Sequence, residues 1–196
     1  MRRGQIRIIG GQWRGRKLLI SEHPEVRPTP DRVRETLFNW LAPLINGACC
    51  LDLFAGSGAL GFEALSRGAS QVVMIDQSPV VVKCLRTQLN TLKATNARIY
   101  QAQIPLHWPV FSTVFDIIFL DPPYRENLLL PVCFALEEKG LLADPAYIYL
   151  ESGRQIEDDE LPLGWAFIKR KKAGQVNYYL VKRTGAIHEK RNHPNE

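Results

Sequence analysis

The sequence predicts an α/β fold in which a mostly parallel seven-stranded sheet ends in an antiparallel hairpin. Short apolar runs typical of buried strands alternate with segments whose apolar residues recur at helical spacing. Two further runs are joined across Ala173 and Gly174, which is the signal of a hairpin. The composition, 45% hydrophobic and 23% charged over 196 residues, is that of a globular protein. No stretch has the ~20 consecutive apolar residues of a membrane helix, so we expect a soluble cytoplasmic protein that does not bind membranes.

Each element follows from local signals along the chain. The first helix is predicted to begin with Thr29 as its cap and Pro30 in its first turn, and its apolar spacing continues to Leu44. The other predicted helices cover residues 60–66, 80–92 and 128–138. The predicted strands cover residues 48–54, 71–76, 98–101, 115–120, 146–150, 165–172 and 176–182. The resulting domain plan is a basic N-terminal extension over 1–27, a main domain over 28–183, and a polar, flexible tail over 184–196.

The positive charge is concentrated at the N-terminus. Residues 1–20 contain six arginines and lysines and no acid, although the whole chain has a net charge of only +5. A basic arm on a nearly neutral body suggests a polyanionic partner, and Trp13 among the cations could stack on bases. The alternative, a solvated and partly disordered arm, is equally compatible with the charge alone. A second basic run covers residues 169–172.

Cysteine and histidine spacing gives no sign of a metal site or of a disulfide. The four cysteines include no C-x-x-C pair, and the histidines are scattered. Most of the cysteines lie in apolar segments, where a free cysteine behaves as a small hydrophobic residue. We therefore expect reduced thiols and no metal cofactor.

A glycine-rich turn joins the first predicted strand of the main domain to the following helix. Gly56, Gly58 and Gly61 have the spacing G-x-G-x-x-G, and Asp76 ends the next strand twenty positions after Gly56. This pattern fits a dinucleotide or an adenosyl cofactor. Asp52 separates the two, because its carboxylate would repel a pyrophosphate but attract the ammonium and sulfonium of S-adenosylmethionine. The residues therefore favour S-adenosylmethionine over a nicotinamide cofactor.

A second motif, Asp-Pro-Pro-Tyr at residues 121–124, follows the strong strand 115–120. Carboxyl ends of parallel strands border one crevice, so this motif should face the glycine turn. The two prolines fix the backbone, so the Asp121 carboxylate and the Pro122 carbonyl can together accept the hydrogens of an exocyclic amine conjugated to a base or amide. Tyr124 can stack on a planar group. The alternative is a purely structural role, in which the motif forms a tight turn at the end of a strand and Tyr124 is solvated. Because the motif directly follows a strand of the predicted parallel sheet, we favour a site that methylates an amine over a turn without a function.

These motifs resemble those of class I S-adenosylmethionine-dependent methyltransferases that act on amino groups. More closely, the segments RIIGGQWRGRKL (7–18), RPTPDRVRETLF (27–38) and KAGQV (172–176) resemble the RsmD family. That resemblance implies a Rossmann-like class I methyltransferase fold. It also implies methyl transfer to the N(2) amine of guanine 966 in 16S ribosomal RNA, with that RNA or the assembling 30S subunit as partner of a monomeric enzyme.

The resemblance also implies residue roles. S-adenosylmethionine would be bound by Asp52, Phe54, Gly56, Gly58, Asp76 and Gln103. The target guanine would be held by Asp121, Pro122, Pro123 and Tyr124. Independently of the resemblance, the charge of the basic arm suggests that RNA phosphates contact Arg7, Arg14, Arg16 and Lys17. Gln103 departs from the Asp or Asn usual in the class, and residues 32–36 could border the cofactor or simply pack as an amphipathic helix.

Three alternatives remain open at this stage. A DNA adenine or cytosine amino-methyltransferase could use the same Asp-Pro-Pro-Tyr motif, but the chain has little room for a target-recognition region. A non-catalytic RNA-binding protein could retain the cofactor fold, although the intact motifs argue against that. A nicotinamide oxidoreductase is disfavoured by Asp52.

Overall fold

The computed structural model describes residues 4–21, 29–123 and 126–185. The helices are α1 Asp31–Leu41, α2 Ala59–Ser66, α3 Pro79–Leu92 and α4 Leu129–Glu138. The strands are β1 Gln5–Arg7, β2 Lys17–Leu19, β3 Cys49–Asp52, β4 Gln71–Asp76, β5 Ala97–Gln101, β6 Phe115–Leu120, β7 Leu142–Ser152, β8 Trp165–Ala173 and β9 Val176–Arg183. Within these residues, no helix is long and apolar enough to cross a membrane.

The main sheet has seven strands in the order β5-β4-β3-β6-β7-β9-β8. Strands β3 to β7 are parallel to one another, and the antiparallel pair β9 and β8 completes the sheet beside β7. The predicted fold class is therefore confirmed. The strand order reverses direction between β3 and β6, and the carboxyl ends of strands at such a switch point border a ligand crevice.

Two apolar cores cover the two faces of this sheet. On β3, Cys50 belongs to the core beneath α1, α2 and α3, whereas its neighbour Leu51 belongs to the core beneath α4. Successive residues of a strand point to opposite faces, so this division assigns every sheet residue to a side. We call the side with α1, α2 and α3 the front face.

The N-terminal arm forms an antiparallel hairpin of β1 and β2 that packs on the front-face helices. Ile6, Ile8, Leu18 and Ile20 are buried in the same core as α1, α2 and α3. This packing argues against a solvated, unstructured arm over residues 4–21.

Several element boundaries differ from the sequence prediction. Helix α1 has Pro30, not Thr29, at its N-cap, and the buried Thr29 instead accepts a hydrogen bond at its carbonyl from Arg34 Nε at 3.2 Å. The helix ends at Leu41 rather than Leu44. Strand β7 is longer than predicted, because its ends also pair with β6 and β9. All four cysteines are free thiols.

Candidate active site

The turn after β3 requires glycine at two positions, each for a different physical reason. Gly56 and Gly58 have φ angles of +50° and +76°, which side chains other than glycine rarely adopt. A Cβ on Gly58 would lie 2.4 Å from the ring of Phe62, whereas a Cβ on Gly56 would meet only the Phe54 carbonyl oxygen at 3.9 Å. The backbone at Gly56 is therefore open to an approaching ligand, while Gly58 packs tightly.

Asp52 ends β3 and lies behind this turn. Its Oδ2 atom accepts a hydrogen bond from the backbone amide of Gly61 at 3.2 Å. A Cβ on Gly61 would lie 2.6 Å from Met74 Sδ, so the helix can approach the strand this closely only with glycine there. Burial raises the pKa of Asp52 to about 7, and the charge of Asp76 adds to that rise.

Asp76 ends β4, the strand next to β3. Its two carboxylate oxygens accept hydrogen bonds from the backbone amides of Gly56 at 2.9 Å and Ser78 at 2.8 Å. These bonds tie the glycine turn to the neighbouring strand and fix the carboxylate at the mouth of the crevice.

Asp121 follows β6 directly and faces an acid on the next strand. Leu120 pairs with Leu150 in the register of β6 and β7, so the residues after them, Asp121 and Glu151, are adjacent. Glu151 is buried and its Oε2 accepts a 2.8 Å hydrogen bond from the Tyr149 hydroxyl. Burial, followed by the charges of Glu151 and Asp52, raises the pKa of Asp121 well above its usual range.

The other motif residues differ in position. Pro122 is buried and Pro123 is exposed, while Tyr124 lies outside the described residues. Gln103 is an exposed residue after β5 whose carbonyl accepts a hydrogen bond from the His107 amide at 2.8 Å. Phe54 is half-buried against the core beneath α4.

The carboxyl ends of four neighbouring strands thus bring together Asp76, Asp52, Asp121 and Glu151. Asp121 and Glu151 are level on adjacent strands ~4.8 Å apart, where two ionised carboxylates would repel by roughly 3 kcal/mol at an effective dielectric constant of about 20. Asp52 lies two residues before the level of Asp76 and Asp121 and is therefore further from both. Such a cluster stabilises a cationic or hydrogen-bond-donating ligand and disfavours an anionic one. It is suited to hold an ammonium, a sulfonium or the amine of a base.

Sequence reasoning missed Tyr149 and Glu151. The signal was present, because Glu151 is an acid at the end of a buried strand, as Asp52 and Asp76 are. It was missed because no motif marks it.

Sequence reasoning also missed the role of Glu63 on α2. This fully buried carboxylate accepts hydrogen bonds from the backbone amides of Ile9 and Gly10, both at 2.8 Å. It pairs with Arg67 at 2.7 Å and with Arg34 at 3.7 Å. Arg34, within the 32–36 stretch, is itself buried and therefore joins the hairpin, α1 and α2 rather than the crevice.

The basic residues of the arm are displayed outward by this packing. All four residues assigned to RNA contact are exposed, and in the part of the chain that the structure describes none forms an ion pair: Arg7, Arg14, Arg16 and Lys17. Arg7 and Lys17 are directly paired across β1 and β2. Like charges in such a position repel each other, which an anionic partner would relieve.

The sheet order, the glycine turn after β3 and the acidic motif after β6 define a Rossmann-like class I methyltransferase fold. More distant structures share that fold alone, such as TrmN from Thermus thermophilus, at 21% identity and a TM-score of 0.64 over 87% of this chain and 55% of that one. A family model described as "Conserved hypothetical protein 95" matches residues 6–182, and the chain belongs to this family, the RsmD family.

Individual relatives agree with the family match over nearly the full length. The ribosomal RNA small subunit methyltransferase D of Escherichia coli strain K12 is 51% identical over 180 residues, covering 92% of this chain and 91% of the relative. The protein of the same name from Haemophilus influenzae is 44% identical, covering 91% and 94%. The solved structure of Escherichia coli yhhF is 51% identical with a TM-score of 0.84, covering 92% and 99%. The resemblance to the RsmD family is thereby confirmed.

Proposed function

We propose that this protein transfers a methyl group from S-adenosylmethionine to the N(2) amine of one guanine, guanine 966, in 16S ribosomal RNA. The observation that carries the proposal is the position of Asp52, beside the glycine turn, next to the Asp121-Pro122 motif on the adjoining strand. The names of the relatives, ribosomal RNA small subunit methyltransferase D, support ribosomal RNA as the substrate.

The residues of the turn fit S-adenosylmethionine. The open backbone at Gly56 permits close approach, and the buried Asp52 supplies the negative charge that a cationic methionine moiety requires. Asp76 would accept hydrogen bonds from the ribose hydroxyls, and Gly58, Phe54 and Gln103 would line the remainder. When bound, S-adenosylmethionine supplies an activated methyl group and leaves as S-adenosylhomocysteine.

The target amine would be held by the motif after β6. The lone pair of the guanine amine is delocalised into the ring, which makes the nitrogen a weak nucleophile. Asp121 and the Pro122 carbonyl would accept its two hydrogens and orient the lone pair, with Pro123 and Tyr124 completing the pocket. The amine lies on the Watson–Crick edge, so the guanine must be unpaired or flipped out of its helix.

Nucleoside mass spectrometry tests the proposal directly. The protein is incubated with S-adenosylmethionine and undermethylated small ribosomal subunits, with protein-free RNA and DNA in parallel. We expect N(2)-methylguanosine at one position. Methyladenine or methylcytosine in DNA would instead establish the amino-methyltransferase alternative, and no transfer with the cofactor still bound would favour a non-catalytic RNA-binding protein.

Asp121→Ala separates the chemistry from cofactor binding. The variant should lose transfer by at least ~100-fold, because the amine loses its carboxyl acceptor, while its affinity for S-adenosylmethionine stays within about threefold of wild type. Asp159→Ala, at an exposed position, is the control. Near-normal transfer by Asp121→Ala would exclude the proposed role.

The arm is tested by removing its charge at the tip of the hairpin. Replacing Arg14, Arg16 and Lys17 with Gln should weaken RNA binding. It should also reduce the slope of log affinity against log salt by roughly 2 to 3, since each lost phosphate contact contributes ~0.7–0.9. An unchanged slope would mean that these side chains do not contact phosphate.

A further inference from the structure

We propose that Lys169 and Lys171, on the edge strand β8, form a second phosphate-binding surface that contacts the RNA beside the target guanine. The proposal rests on the proposed function and extends it. Its starting point is the basic run at residues 169–172, which the site described above does not use.

Strand register places Lys171 level with the active site. Lys171 pairs with Tyr178 across β8 and β9, and Tyr178 pairs with Glu151 across β9 and β7. Glu151 is in turn the neighbour of Asp121, because the residues before them are paired. One row of side chains therefore crosses four strands, from Asp121 to Lys171.

The distance along this row suits a nucleic acid strand. Three strand spacings of ~4.8 Å separate Asp121 from Lys171 by roughly 14 Å. Phosphates advance ~3.4 Å per nucleotide in a stacked strand, so this span corresponds to about four nucleotides. Lys169 lies two residues from Lys171 on the same strand, ~7 Å further from the carboxyl edge and at right angles to the row, so it is roughly 16 Å from Asp121.

The two lysines lie on the front face, where the N-terminal hairpin also packs. Residues paired directly across strands share a face, and the partners of Lys169 and Lys171 are Leu180 and Tyr178. Both partners belong to the front-face core, and Tyr178 stacks on Trp40 of α1 with ring centroids 5.7 Å apart. The arm and the β8 lysines thus lie on the same side of the sheet.

Ion pairing distinguishes Lys169 and Lys171 from Arg170, which lies between them in the sequence. Arg170 points to the opposite face, where it pairs with Asp158 and lies over the Phe167 ring at 4.1 Å. Lys169 and Lys171 are exposed, and neither pairs with an acid among residues 4–21, 29–123 and 126–185. Two unneutralised cations beside an acidic crevice are complementary to a strand that inserts one base and keeps its phosphates outside.

A different explanation must be tested against this one. Lysines on an edge strand also prevent edge-to-edge aggregation, and in that role they need no ligand. The two explanations differ in RNA affinity, since a purely protective role predicts no loss of it.

The experiment uses the double variant Lys169→Gln/Lys171→Gln in the full chain. Its matched control is Lys93→Gln/Arg98→Gln, which removes two exposed cations at or near the opposite edge strand, β5. Binding to undermethylated small ribosomal subunits is measured over a salt series, together with KM and kcat for methyl transfer and light scattering for aggregation.

We expect the β8 variant to bind the subunits roughly tenfold more weakly near physiological salt, with a salt slope smaller by about 1.4 to 1.8. KM for the subunits should rise, while kcat at saturation and affinity for S-adenosylmethionine stay unchanged. The control should match wild type. If the two variants bind alike, or the β8 variant only aggregates, the inference is overturned while the proposed function stands; if wild type methylates no RNA, the proposed function itself fails.

Discussion

Asp52→Asn should stabilise the ligand-free protein while weakening its affinity for S-adenosylmethionine. Asp52 is buried behind the glycine turn, and its ionised form has lost its hydration and lies near Asp76. Asn keeps the shape and an oxygen that can accept the Gly61 amide, but it removes the charge. The variant therefore isolates the energetic cost of the buried carboxylate.

The magnitude follows from the pKa. A rise from 3.8 to about 7 is roughly three units, which corresponds to about 4 kcal/mol of folding free energy once Asp52 is ionised in both states. Between these two pKa values the folded protein keeps a proton that the unfolded chain has lost, so stability falls as pH rises. From about pH 5 to pH 8 the expected loss is ~3 kcal/mol, and it levels off above the folded pKa.

Urea unfolding of wild type and variant at a series of pH values measures this difference. The stability of Asp52→Asn relative to wild type should grow by ~3 kcal/mol from about pH 5 to pH 8, because the cost of fitting the amide is the same at every pH. Asp159→Asn, which changes an exposed carboxylate, should show no such trend. A constant difference across the range would refute the argument that Asp52 is held at a desolvation cost.

The same variant should bind S-adenosylmethionine about 10- to 100-fold more weakly, since a hydrogen bond to a charged group is worth ~1.5–3 kcal/mol. In wild type, affinity should fall about tenfold per pH unit below pH 7, where Asp52 must first lose its proton, and should level off at the affinity of the variant. Calorimetric titration at several pH values measures both effects.

Two further predictions concern packing. Glu63→Ala should lower the unfolding free energy by about 3–5 kcal/mol, because the Ile9 and Gly10 amides and the Arg67 side chain lose their acceptor. Glu35→Ala, on the exposed side of α1, should change it by less than ~0.5 kcal/mol in the same urea titration. Gly61→Ala should lower the unfolding free energy by about 1–3 kcal/mol, because its methyl group would clash with Met74. The double variant with Met74→Ala should lose less unfolding free energy than the two single variants together. Strict additivity in this double-mutant cycle would contradict the contact.

The sequence predicted the sheet and the first half of the site because both depend on local patterns. The glycine spacing, the acids at strand ends and the apolar runs are all continuous in the chain. Glu151 escaped prediction because its importance comes only from the register that places it beside Asp121. The role of Glu63 could not be predicted for a similar reason. No local pattern around an acid in a helix indicates that backbone amides more than fifty positions earlier donate hydrogen bonds to it.

The front face combines charges of opposite sign in a way that the proposed reaction requires. The acidic row at the strand ends attracts a cationic cofactor and an amine, but it repels the phosphates on either side of the target base. Cations must therefore hold the RNA from outside the row. The exposed arginines of the hairpin and the two lysines of β8 are positioned for that task, and Glu63 adds two hydrogen bonds to the apolar packing that joins the hairpin to the domain. Loss of Glu63 should consequently weaken RNA binding more than loss of any single arm cation, because it loosens the segment that positions all of these cations.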